Sequence, residues 1–75
     1  FMENLRMLRL ERRLSQMQVQ KETGINQGEL SKYERGQTRP TMENLLVLAA
    51  YFGTSLDYLM GLTDERKPYP PKKEP

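Results

Sequence analysis

The 75-residue chain contains no cysteine, no histidine and no tryptophan. Without cysteine it can form no disulfide framework. Without cysteine and histidine together it lacks both the usual zinc sites and the commonest general base. No apolar run approaches the roughly 18–20 residues that a bilayer span requires, and the N-terminus has no long apolar leader. These absences describe a soluble, unexported chain, expected in a bacterial or phage-type cytoplasm. Phe1 ahead of Met2 reads as a remnant before a natural initiator, so the fold is expected to begin at residue 2. A single domain of this size leaves little room for an enzyme cleft, and its core supplies only about 3–5 kcal/mol of net stability. Several carboxylates are present, but no paired acid and base, Gly-rich phosphate loop or Ser-His constellation accompanies them. Catalysis is therefore excluded, and no metal, cofactor or small-molecule ligand is implied.

Charge is plentiful and nearly balanced. The formal net charge is +2 and the pI is about 9.1, values that permit nucleic-acid binding without requiring it. Through Thr63, eight Lys and Arg face seven Asp and Glu, so any electropositive surface must arise from clustering.

The apolar pattern is helical throughout. Leu5, Leu8 and Leu14 alternate with Arg6, Arg9, Arg12 and Arg13 to give an amphipathic first helix ending near Arg13. Ser15 and Gln18 form a capping box for a second helix over 16–23, and Gly24 supplies its left-handed stop. Asn26 and Glu29 repeat the start signal for a third helix over 27–35, closed by Gly36. Arg39-Pro40 forces an extended stretch. Thr41 then caps a fourth helix carrying Leu45, Leu48, Ala49 and Phe52 on one stripe, with Glu43 at its positive end and Gly53 as its stop. Ser55 caps a short fifth helix ending near Gly61. After Thr63 the composition shifts to charges and four of the five prolines, so residues 64–75 read as a disordered or extended tail, or as a linker to a further domain.

The expected core is Leu5, Leu8, Val19, Ile25, Leu30, Leu45, Leu48, Phe52 and Leu59. Leu46, Val47, Tyr51, Tyr58, Met60 and Leu62 exceed what so small a core absorbs, which predicts an exposed apolar patch suited to a homodimer.

Two short helices joined at a glycine, with caps eleven residues apart at Ser15 and Asn26, form the helix-turn-helix spacing. Alone this spacing is unspecific, because many small bundles share it. It occurs here with Leu14-Ser15-Gln16, Gly24-Ile25-Asn26-Gln27, Leu30-Ser31-Lys32-Tyr33-Glu34-Arg35-Gly36, Arg39-Pro40-Thr41 and Leu56-Asp57-Tyr58-Leu59. Together these resemble the lambda repressor and Cro family, the Xre-type regulators, over about Asn4 to Leu62.

The resemblance implies an all-α, compact five-helix domain over residues 2–63. It further implies a regulator, most often a repressor, that binds double-stranded DNA at a palindromic operator as a homodimer, with the helix Gln27 to Arg35 in the major groove. Gln27, Gly28, Glu29, Ser31 and Lys32 are then the base-contacting candidates. Gln27 matches adenine N6 and N7, and Lys32 matches guanine O6 and N7. Gln16, Asn26, Tyr33, Arg35, Gln37, Thr38 and Arg39 are the phosphate-contacting candidates, although Tyr33 also reads as a core residue with a polar tip. For Gln16 the physical reason stands independently, since unpaired helix N-terminal amides attract an anion. Arg9 and Glu34 match a structural ion pair.

Two positions depart from the family pattern. Gly28 replaces a residue with a side chain, leaving either a close backbone approach to DNA or no readout there. Gln20 replaces a small apolar residue, so the packing of the second helix on the third is expected to be locally altered. The competing class is a protein-interaction module such as an antitoxin or anti-repressor, which would be indifferent to loss of the phosphate contacts.

Overall fold

A computed structural model describes residues 2–70; the expectations for Phe1 and for residues 71–75 of the tail fall outside this range. Among the described residues there are five helices and no strand: α1 (Leu5–Glu11), α2 (Gln16–Thr23), α3 (Gln27–Glu34), α4 (Met42–Phe52) and α5 (Leu56–Leu59). None is long and apolar enough to cross a membrane. The all-α, five-helix expectation holds.

The caps are where the sequence placed them. Ser15 Oγ accepts the Gln18 N–H while Gln18 Oε1 accepts the Ser15 N–H. Thr41 Oγ1 accepts the Asn44 N–H and Ser55 Oγ the Tyr58 N–H, capping α4 and α5 without a reciprocal bond. Three helix ends come early: α1 stops at Glu11, two residues short of the expected Arg13, α3 at Glu34, one short of Arg35, and α5 at Leu59, two short of Gly61. Arg13 adopts φ 56°, a left-handed conformation unusual for a residue with a side chain and costing roughly 1–2 kcal/mol. It lets the Leu14 N–H turn back to the Arg9 carbonyl at 3.1 Å. Arg9 Nη1 then holds the Leu14 carbonyl at 2.8 Å, fastening the turn from the side.

Every residue of the expected core is buried, and Met2, Tyr33, Ala49 and Tyr58 join it. The surplus apolar set divides. Tyr58 is buried, Val47, Tyr51 and Met60 pack against the core, and Leu46 and Leu62 stay exposed. Tyr58 is absorbed because residues beyond α5 return to it.

From Thr63 to Pro70 the chain is irregular and lies against the body. The Ser55 N–H donates to the Arg66 carbonyl (3.0 Å), and Ser55 Oγ donates to the Glu65 carbonyl (3.1 Å). The Arg66 guanidinium stacks over the Tyr58 ring and donates to its hydroxyl (3.0 Å). It also pairs with Glu11 on α1. This pairing holds the Glu11 carboxyl below its ordinary range. A carboxyl lowered in the folded state contributes stability above its ordinary value and loses that contribution as pH falls through the lowered one. Arg66→Ala is expected to speed hydrogen exchange at the Ser55 amide. Glu11→Gln is expected to abolish the acid-dependent part of that protection. Unchanged exchange in both variants would mean the strap rests on its backbone bonds alone.

Candidate nucleic-acid interface

α2 and α3 pack against each other across the turn at Gly24. Gly24 ends α2 in a left-handed conformation (φ 81°), and Ile25 turns into the core. Gln20 explains its own departure from the family pattern. Its Oε1 accepts the Gln27 backbone N–H at 2.7 Å, adding a second cap to α3 beside Asn26, whose Oδ1 accepts the Gly28 N–H at 2.7 Å. A small apolar residue at position 20 could not supply that acceptor.

Gly28 is resolved by the same cap. A Cβ there would stand 2.9 Å from Asn26 Oδ1, closer than such contacts are made, so the glycine leaves room for the capping oxygen.

On α3, Gln27, Gly28, Ser31, Lys32 and Arg35 fall on one face at helical spacing, while Leu30 and Tyr33 bury the opposite face. Lys32 and Arg35 are exposed, and Gln27, Gly28 and Ser31 are half-buried. Glu29, also proposed for base contact, lies on the flank, away from the other four. The candidates for base contact are thus brought together except Glu29.

The phosphate set divides more sharply. Tyr33 is 2 % exposed and its hydroxyl accepts from Asn44 Nδ2 at 2.8 Å. It is a core residue tying α3 to α4, which corrects the expectation that it meets phosphate. Thr38 is also turned inward: its hydroxyl is buried and has no partner among the described residues. Asn26 spends its oxygen on the α3 cap and keeps its amide nitrogen as a donor. Gln37 and Arg39 are exposed in the loop after α3, and Arg35 is exposed at its end, with Nε donating to the Ser31 carbonyl.

Gln16 stands at the N-terminus of α2. The capping box serves Gln18 and Ser15, so the amides of Gln16 and Met17, the first two helical residues, remain unsatisfied by the helix. The Gln16 side chain reaches across to α3. Its Oε1 accepts from Gln27 Nε2 at 2.6 Å, and its Nε2 donates to Glu34 Oε1 at 3.2 Å.

The expected ion pair is present. Arg9 Nε and Nη2 donate to the two Glu34 oxygens at 2.7 and 2.8 Å, a bidentate pair with side chains 12 % and 3 % exposed. The carboxylate raises the pKa of Arg9 further above its ordinary value.

One basic residue escaped the sequence reading. Arg6 is exposed on α1 and lines a cleft of about 230 Å³ together with Arg9, Gln16, Ser31, Glu34 and Arg35. Three guanidiniums against one carboxylate make this cleft electropositive beside the α2 N-terminus. The signal was available in the periodicity, because position 6 sits one helical turn from Arg9, but only the packing of α1 on α3 turns that face toward Gln16.

A family model described as Helix-turn-helix matches residues 5–59. The chain is 32 % identical over 68 residues to an uncharacterized HTH-type transcriptional regulator, YobD, of Bacillus subtilis, covering 91 % of this chain and 61 % of that protein. It is 40 % identical over 62 residues to an uncharacterized HTH-type transcriptional regulator, y4dJ, of Sinorhizobium fredii, covering 83 % of this chain and 80 % of that protein. No solved structure gives a significant match. With the caps, the glycine turn and the exposed face of α3 in place, the chain belongs to the helix-turn-helix family of the lambda repressor and Cro type.

Proposed function

We propose that this chain is the sequence-specific double-stranded DNA-binding domain of a transcriptional repressor, with α3 inserted in the major groove. The observation that carries this reading is the single solvent-facing surface formed by Gln27, Ser31 and Lys32 on α3, flanked by the α2 N-terminus on one side and Arg35, Gln37 and Arg39 on the other. Gln27 and Lys32 read base edges. Gln16, with the adjacent free amides of α2, and Arg6, Arg35 and Arg39 hold phosphates, which position the domain without reading sequence. Gly28 contributes no side chain to readout.

The regulator acts as a homodimer on a palindromic operator, with half-sites roughly 34 Å apart. Supporting this, Leu46 is 53 % exposed and borders an apolar groove with Ala50, Leu56, Pro68 and Tyr69. Occupancy of the operator hides a promoter from polymerase. Sedimentation with and without the operator tests the dimer, and strictly monomeric behaviour in both would reject it.

The test of the DNA reading is selection from random duplexes, followed by affinity measurements at several salt concentrations. An enriched site is expected. Lys32→Ala should change base preference at one position by about 1–3 kcal/mol. Arg39→Ala and Arg6→Ala should weaken all duplexes alike and flatten the salt slope by about 0.9 each. A folded sample that enriches nothing and shows no salt-dependent binding would defeat the reading.

A further inference from the structure

Arg9, Glu34, Gln16 and Gln27 form one continuous run of hydrogen bonds that crosses from α1 to α3, passes to α2 and returns to the first residue of α3. Its direction follows from chemistry. A guanidinium only donates and an ionised carboxylate only accepts. Glu34 Oε1, already accepting from Arg9, therefore requires the NH2 end of Gln16, which turns Gln16 Oε1 toward Gln27. Gln27 must answer with its own NH2, at 2.6 Å.

We propose that Glu34 is a positioning residue for base readout: acting through Gln16, it sets which hydrogen-bonding groups Gln27 offers to the major groove. The proposal rests on the DNA-binding reading above and deepens it. In the observed orientation Gln27 keeps Oε1 and one N–H for the groove, an acceptor beside a donor, which complements the N6–H and N7 of adenine. With Gln16 reversed, the Gln27 oxygen is drawn to Gln16 and its N–H groups face the groove, the complement of the O6 and N7 acceptors of guanine. The Glu34 side chain is 3 % exposed, so little water competes for the oxygen that sets the direction.

The experiment compares affinities for the selected duplex and for duplexes carrying each alternative base pair at the position where Gln27→Ala abolishes discrimination. The wild type is expected to favour adenine over guanine there by on the order of tenfold. In Glu34→Gln, the amide nitrogen takes the place of one of the two oxygens that Arg9 grips; at the Oε1 place it meets the Gln16 NH2 and turns Gln16 round, so Gln16 is no longer held in one direction. The preference should then fall to within about threefold. Adding Gln16→Glu supplies an acceptor to both neighbours and should restore the preference, even if the new charge weakens binding to every duplex. A structural role for Glu34 alone predicts no such rescue. An unchanged ratio in Glu34→Gln and in the Arg9→Met, Glu34→Leu pair, where position 34 offers no acceptor, overturns the proposal and leaves the DNA reading standing. A folded wild type that enriches no duplex overturns both. Should Glu34→Gln not fold, side-chain amide exchange in the DNA-free wild type decides. Slowed exchange of the Gln27 NH2 that is lost in Gln16→Ala supports the relay, and solvent-rate exchange in the wild type overturns it.

Discussion

Arg9→Met should cost about 3–5 kcal/mol of folding stability, the scale for removing one partner of a buried ion pair. The loss is large because Glu34, 3 % exposed, would keep its carboxylate out of water with only the Gln16 amide as partner. The Leu14 carbonyl would also lose its donor, and with it the side fastening of the strained turn at Arg13. A domain of this size has only about 3–5 kcal/mol in hand, so the variant should be largely unfolded at room temperature. Replacing both members, Arg9→Met with Glu34→Leu, removes the desolvation cost along with the attraction and should recover most of the loss. Urea melts of the four proteins in this cycle give the coupling directly. A single variant that melts like the wild type would strip the pair of its structural role.

Tyr33→Ala should be comparably damaging, at about 3–5 kcal/mol, because it empties a fully buried aromatic site between α3 and α4. Tyr33→Phe is the more informative change. It keeps the ring and removes only the acceptor for Asn44, so stability should fall by about 1 kcal/mol, with DNA affinity and salt slope unchanged. A hydroxyl bound to phosphate would give the reverse pattern: lower affinity, a flatter slope and an unmoved melting temperature.

These two residues show where the sequence was sufficient and where it was not. Local rules fixed the helices, since each of Ser15, Asn26, Thr41 and Ser55 has a side-chain oxygen that meets an amide two or three residues ahead. The ion pair was legible from the family resemblance, and its bidentate geometry was found as expected. What escaped depends on contacts between distant segments. Tyr33 carries a group that suits either phosphate or core, and only α4 packing against it decides. Thr38 is polar in sequence yet faces inward. Arg6 looks like any solvated helix charge until α1 is laid against α3. Gln20 looked like a defect in packing because its acceptor serves an amide seven residues away, across the turn. Arg66 lies in a proline-rich, charged stretch with no periodic signal, and its anchoring depends on Tyr58 and Glu11.

The crowding at Gly28 sets which positions a redesign of specificity can use. New side chains can be tried at Ser31 and Lys32 without disturbing a cap, whereas a Cβ at position 28 would stand 2.9 Å from the Asn26 oxygen, which must then turn aside and loosen a bond that starts the helix. Libraries built on this scaffold should therefore spend their diversity first one turn further along α3, and vary position 28 only together with Asn26.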